Sequence, residues 1–189
     1  MSDHDPGRSN PWATLGSRSV YENPWIAVRE DRVLRPDGKP GIYGVVHFKS
    51  HAVGVLPVDR QGRVWLVGQY RYPLGRYSWE IPKGGGHGEE SPEETARREL
   101  REETGLVGGD WELIATTHLS NSVSDEIARV FRATDLVPGP SAPEGSERLE
   151  VRPVTWDEAW AMLRRGEITD SMSVIALLHE AVRRASGPL

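Results

Sequence analysis

The stretch GGGHGEESPEETARRELREETGL, Gly84 to Leu106, joins a glycine-rich loop to a helix whose end is electrostatically unfavourable. Ser91 has the chemistry of an N-cap, Pro92 suits the first helical position, and Glu94 stands at the reciprocal capping-box position. These signals predict a helix from Pro92 to about Thr104, stopped by Gly105 in the left-handed conformation. Its only apolar side chains of note are Ala96 and Leu100, four apart, a narrow stripe for core contact. Glu93–Arg97, Glu94–Arg98 and Arg98–Glu102 are opposite charges at i,i+4, each worth about 0.2–0.5 kcal/mol. The last turn breaks this pattern. Glu99 and Glu103 repel, and with Glu102 they sit at the negative end of the helix dipole, costing about 0.3–1 kcal/mol apiece. The three carboxylates project within a sector of roughly 100°. A bound cation would turn those penalties into ligand field, and oxygen-only donors suit Mg²⁺ or Mn²⁺ rather than Zn²⁺. On these residues alone, an acidic helix end kept for solubility remains the favoured reading.

Outward from this helix, the chain before it reads as strands. Residues 1–16 are taken as a flexible arm, since the first eleven are rich in Asp, Gly, Ser, Asn and Pro. VYENPWIAVREDRVL (20–34) alternates apolar and polar, RPDGKPG (35–41) turns, and IYGVVHF (42–48) answers as the next strand. AVGVLPV (52–58) and RVWLVGQYR (63–71) flank the turn DRQG and read as a hairpin. YSWEIP (77–82) is short and extended. After the helix come strands at 111–119, 127–136 and 149–155, separated by a Pro/Gly/Ser/Glu loop at 137–147. TWDE (155–158) is a second capping box, opening a helix to about Arg165, and residues 172–184 form a closing helix. Strands in clusters with helices interspersed indicate an α+β, mixed α/β, protein.

The chain of 189 residues carries a net charge of −5, the wrong sign for a dedicated nucleic-acid binder. It has no cysteine, which excludes disulfides and thiolate metal sites. No apolar run approaches the roughly 18 residues of a membrane span, so the expected place is the cytoplasm.

Gly84, Glu90, Arg98, Glu99, Leu100, Glu102, Glu103, Gly105 and Leu106 spell G-x5-E-x7-R-E-U-x-E-E-x-G-U, with U a bulky aliphatic. This resembles the Nudix box, complete over its length, and a chance match is on the order of one in a billion per starting position. The resemblance implies the Nudix α/β/α sandwich and metal-dependent hydrolysis of a diphosphate linked to another group. It assigns Glu99, Glu102 and Glu103, with the carbonyl of Lys83, to divalent metal, Mg²⁺ or Mn²⁺, and counts Glu102 among the catalytic groups. Arg98 is expected to order these carboxylates through Glu90.

Other stretches resemble the branch that hydrolyses ADP-ribose and nucleoside diphosphate sugars. QYRYP (69–73) is similar to the segment where that branch places an arginine on the diphosphate, here Arg71. SWEIPKGGG (78–86) matches the approach to the box and adds Glu80 to the substrate-binding set. LRRGEITDSMSVIALL (163–178) resembles the branch's tail. Residues 17–50 match its small antiparallel β-domain, which implies dimerisation and substrate contacts, and leave 51–189 as the Nudix domain. Tyr21, Trp25 and Tyr72 are candidate stacking platforms for the base, although each residue type is more often core. HLSNSVSDE (118–126) has Asn121 where the ADP-ribose enzymes carry Pro, which points to a broader range including ADP-glucose and GDP-mannose. Ser124 and Glu126 in that run are candidate substrate contacts. The loop 138–150 offers Glu147, then Glu144, as catalytic base, with Glu150 beside them. The implied partner is a small nucleoside diphosphate sugar, and the implied assembly a homodimer. Hydrolysis of dinucleoside polyphosphates or RNA 5′ ends, or an ADP-ribose-type binding module without turnover, are the alternatives.

Overall fold

The computed structural model of the chain describes residues 9–139 and 149–187. They divide into two units. The first runs through Lys49 and includes Ser120–Glu126; the second takes in the described parts of Ser50–Leu119 and Ile127–Leu189.

The first unit is a three-stranded antiparallel sheet of β1 (Ala13–Glu22), β2 (Ile26–Leu34) and β3 (Pro40–Phe48), in that order. β1 begins at Ala13, inside the arm expected for residues 1–16, because Ala13 and Thr14 already pair with Leu34 and Val33. The run 20–34 is two strands rather than one. Oδ1 of Asn23 accepts from the backbone N–H groups of Trp25 and Ile26, both at 2.8 Å, and so reverses the chain beside Pro24. The segment 120–126 is tied to β3: the N–H of Val46 donates to the carbonyl of Val123 at 2.8 Å, and the Tyr43 hydroxyl to that of Ser122 at 2.7 Å.

The second unit contains β4 (Ala52–Pro57), β5 (Val64–Arg71), β6 (Arg76–Glu80), β7 (Lys83–Gly85), β8 (Leu106–Val107), β9 (Asp110–His118), β10 (Ile127–Thr134), β11 (Val137–Pro138) and β12 (Glu150–Val154). Its helices are α1 (Pro92–Thr104), α2 (Trp156–Arg164) and α3 (Ser171–Ser186). The main sheet has the order β7-β4-β10-β9, with β4 and β10 parallel and the outer pairs antiparallel. A second sheet, β12-β5-β6, is antiparallel throughout, and β8 pairs with β11.

The expected hairpin of 52–58 with 63–71 does not form as a ladder. Apart from one bridge, Val58 to Val64, β4 and β5 belong to different sheets. Asp59 turns the chain at that corner, its Oδ1 accepting from the N–H groups of Gln61 and Arg63. Both neighbours of β4 are taken, by β7 and β10, so β5 pairs elsewhere.

Alternation along the central strands builds two cores. Val53, Val55, Phe131 and Ala133 pack against Ala96 and Leu100 of α1. Leu56, Ala128 and Val130, on the opposite face, pack with Met172, Ala176 and Leu177 of α3 and with Met162 of α2. The sheet therefore lies between helices, as the α/β/α sandwich requires. The narrow Ala96–Leu100 stripe suffices because both residues are completely buried. No helix among the described residues is long and apolar enough to cross a membrane.

Candidate active site

α1 starts as its sequence dictates. Oγ of Ser91 accepts from the N–H of Glu94, and the Glu94 carboxylate accepts from the N–H of Ser91 at 2.8 Å. Thus Glu94 is used at the cap, and Arg98 pairs elsewhere. Glu90, just before the helix, takes Nε of Arg98 at 3.0 Å, the N–H of His87 at 3.0 Å and the Thr95 hydroxyl at 3.1 Å. The Arg98 guanidinium, with the His87 N–H next, lowers the Glu90 carboxyl to about 2. Thr95 in turn meets Nε2 of His51 at 3.1 Å, and the ring of His51 fills the space where a side chain at Gly86 would stand.

Arg98 is the hub of the opposite end. Its Nη1 donates to Oε1 of Glu99 at 2.8 Å and to Oε2 of Glu102 at 2.9 Å, and Nη2 donates to the carbonyl of Gly85 at 2.8 Å. Burial works against its charge, but the contacts with Glu90, Glu102 and Glu99 outweigh that and raise its pKa. Oε2 of Glu103 accepts from the backbone N–H of Lys83 at 3.0 Å. Glu99 and Glu103 are buried despite their charge. Gly84 makes this approach possible: a Cβ added there would lie 2.1 Å from Oε1 of Glu99.

Among the described residues no three acidic or histidine side chains already enclose a metal position. One nitrogen of Arg98 stands between Glu99 and Glu102. A guanidinium nitrogen shared by one buried and one partly buried carboxylate marks a place where positive charge is stabilised. Carboxylate oxygens and a glycine-lined approach fit a hard divalent cation.

Beside this cluster lies a second one. Nε of Arg71 donates to both oxygens of Glu80 at 3.1 Å, and its Nη2 to Oε2 at 2.6 Å. The Lys83 ammonium lies 3.2 Å from the same Oε2 and 2.5 Å from Oδ1 of Asp170. Burial alone would raise the carboxyls of Glu80 and Asp170; the neighbouring cations, with hydrogen bonds from Ser78 and Ser173, hold both below their ordinary values. These four residues, with Pro73, Leu74, Arg76 and Thr169, line a cleft of about 360 Å³. Arg76, the cross-strand partner of Arg71, donates to the Thr169 hydroxyl at 2.6 Å.

Arg71, Glu80, Lys83, Arg98, Glu99, Glu102 and Glu103 are thus gathered within the second unit. Glu80 is 1% exposed at the wall of the cleft, its carboxylate engaged by Arg71 and Lys83. Tyr21, Trp25, Ser124 and Glu126 belong to the first unit. Tyr21 and Trp25 are exposed there, and the N–H of Ser124 donates to the carbonyl of Ser120. Glu144 and Glu147 lie outside the described residues. Glu150 opens β12 and accepts from the Tyr77 hydroxyl at 3.1 Å. Sequence reasoning missed Asp170, which caps α3 through the N–H of Ser173. A signal was present, since Asp before a Ser-led apolar helix is an N-cap pattern.

A model of the NUDIX domain matches residues 49–174, and one of the nucleoside diphosphate sugar hydrolase N-terminal domain matches residues 12–46. The chain is 34% identical over 185 residues to an ADP-ribose pyrophosphatase of Mycobacterium tuberculosis, covering 94% of this chain and 84% of that protein. It is 31% identical over 174 residues to an ADP-ribose pyrophosphatase of Bacillus subtilis, covering 91% and 94% respectively. The crystal structure of an ADP compounds hydrolase aligns with a TM-score of 0.84 over 94% of this chain and 97% of that one; at 20% identity it bears on the fold.

Proposed function

The chain belongs to the Nudix family, and from that premise we propose that it hydrolyses the diphosphate bond of nucleoside diphosphate sugars, giving a nucleoside monophosphate and a sugar phosphate. The observation that carries this reading is the pairing, within one unit, of an oxygen-only donor set on α1 with a cleft lined by Arg71, Arg76 and Lys83. ADP-ribose and ADP-sugars are the first substrates, supported by relatives that span nearly the whole chain. Asn121, in place of the proline of strict ADP-ribose enzymes, supports extending the range to GDP-mannose.

Nudix hydrolases use divalent metal. For this chain we take Mg²⁺, with Mn²⁺ able to serve the same donors, held by Glu99, Glu102, Glu103 and the Lys83 carbonyl. The chemistry it supplies is neutralisation of diphosphate oxygens and acidification of water. The chain's own residues do the rest. Arg98 holds Glu99 and Glu102 in one orientation, and Glu90 holds Arg98. The Lys83 N–H fixes Glu103. Arg71, steadied by Glu80, presents its guanidinium to the diphosphate, where fixed positive charge stabilises the charge that develops on the leaving oxygen. Glu147, with Glu144 next, is proposed to take the proton of the attacking water. Tyr21, Trp25, Ser124 and Glu126 are proposed as contacts for the nucleoside and sugar, and the first unit as the dimerisation element of a cytoplasmic homodimer. The exposed Leu15, Val20, Trp25 and Ile42 support the latter role.

The test is incubation with ADP-ribose, ADP-glucose and GDP-mannose in Mg²⁺, following release of nucleoside monophosphate. No release from any of them would refute the reading. Light scattering should give twice the 21.0 kDa chain mass.

A further inference from the structure

Lys83 stands between two buried acids and leans toward one. Its ammonium is 2.5 Å from Oδ1 of Asp170 and 3.2 Å from Oε2 of Glu80. Asp170 is aimed by its place at the start of α3. Its Oδ2 accepts from the N–H of Ser173 at 2.9 Å and from the Ser173 hydroxyl at 2.7 Å, which leaves Oδ1 for Lys83. Ser173 is itself fixed, since its Oγ accepts from the N–H of Ile81 at 2.9 Å and is completely buried. Two cations, Arg71 and Lys83, therefore share two acids, Glu80 and Asp170. Both oxygens of Glu80 are engaged by Arg71, and Lys83 is the competitor for them.

We propose that Asp170 is a positioning residue for the diphosphate-binding arginine: by drawing the Lys83 ammonium toward α3, it leaves Glu80 to clamp Arg71 in its two-pronged geometry. Without the Asp170 charge, one buried carboxylate must serve two cations. A compact ammonium then displaces part of the guanidinium from Glu80, and Arg71 loses its fixed direction. The proposal rests on the functional reading above, in which Arg71 meets the diphosphate.

The experiment uses the full chain with ADP-ribose and Mg²⁺. Asp170→Asn keeps an acceptor for the cap but removes the charge. It should raise KM about tenfold while kcat stays within about threefold. Asp170→Glu should lie close to wild type. Adding Lys83→Met to Asp170→Asn removes the competitor for Glu80; because Lys83 also lines the cleft, this double variant is read by the Arg71 exchange below and not by KM. An unchanged KM in Asp170→Asn overturns the proposal. Ser173→Ala, which loosens the aim of Asp170, covers the case where Asp170→Asn does not fold; it should raise KM about threefold, and an unchanged KM again overturns the proposal. A readout without substrate separates this inference from the functional reading. In ¹⁵N-arginine-labelled protein the Arg71 Nε–H should exchange slowly in wild type, rapidly in Asp170→Asn, and slowly again with Lys83→Met. Exchange that does not differ between wild type and Asp170→Asn overturns the inference, whereas absence of turnover in wild type refutes only the functional reading.

Discussion

Around Arg98 of α1 gather three acids, Glu90, Glu99 and Glu102, with Glu103 held beside them by the Lys83 N–H, whereas around the Lys83 side chain two acids meet two cations. The clusters share neighbours, since the Lys83 backbone holds Glu103 while its side chain joins the other group. Their charge arithmetic differs. A cluster with an anionic surplus is stable only if something positive joins it, and is therefore built for a ligand. A balanced cluster is complete by itself, and its use is to hold side chains in place. Removing a charge should consequently have a different signature in each.

The largest effect is expected where the surplus is consumed. Glu103→Gln should lower kcat/KM on the order of 10³-fold, about 4 kcal/mol of transition-state stabilisation, with thermal melting little changed. EDTA should abolish turnover in wild type, and Mg²⁺ should restore it. Near-normal turnover in Glu103→Gln would place the metal elsewhere. Next comes Gly84→Ala, whose Cβ would collide with the Glu99 carboxylate. The colliding atoms are the far end of a flexible side chain, so Glu99 should yield before the fold does. Activity should fall about 10²-fold, with higher Mg²⁺ needed for half-maximal rate, and urea denaturation should shift little. An unchanged Mg²⁺ dependence would break the link between Gly84 and the donor set.

The comparison itself is sharpened by Arg98→Met and Glu80→Gln. Each breaks a largely buried ion pair and should cost about 3 kcal/mol in urea denaturation without metal. Added Mg²⁺ should restore part of the loss in Arg98→Met, because the ion supplies the missing positive charge. It should restore none in Glu80→Gln. Equal rescue of both would erase the distinction.

The smallest effect concerns pH. The Glu90 carboxyl is lowered to about 2 in the folded protein, from an unfolded value near 4.5. Its contribution to stability is therefore fully present above about pH 4.5 and is lost as pH falls from there through about 2. Melting temperatures of wild type and Glu90→Gln should differ at pH 6 and converge toward pH 2.

The surplus cluster could be read from the sequence, and the balanced one largely could not. Glu99, Glu102 and Glu103 fall within one helical turn, so local geometry fixes their shared direction, and Gly84 and Glu90 are close upstream. Lys83 and Asp170 are separated by most of the second unit, and only the packing of α3 against the main sheet brings them together. Arg71 and Glu80 lie on the two strands of a hairpin, but Arg71 pairs across it with Arg76 and Glu80 with Val67, so the register does not show their ion pair and alternation does not say which charge lies buried. The same limit explains the 52–71 region. Two apolar runs around a turn look like a hairpin, and the competition for β4 by β10 and β7 is a tertiary fact. The reversal at Asn23 was readable, since Asn-Pro is a turn signal; its period-two flanks masked it.

The parallel pairing of β4 with β10 has a consequence during synthesis. β4 emerges early, but its central partner leaves the ribosome only after α1 and β9 have been made. α1, with its own capping box, needs only local contacts to form. The nascent chain thus passes through a stage in which Ala96 and Leu100 are solvated and the acidic turn has no scaffold. Pulse-labelled amide exchange during refolding should accordingly protect α1 before β4. The order matters for expression, because slowing the chain between β9 and β10 would lengthen the time for which that apolar stripe can recruit a chaperone or a neighbouring chain.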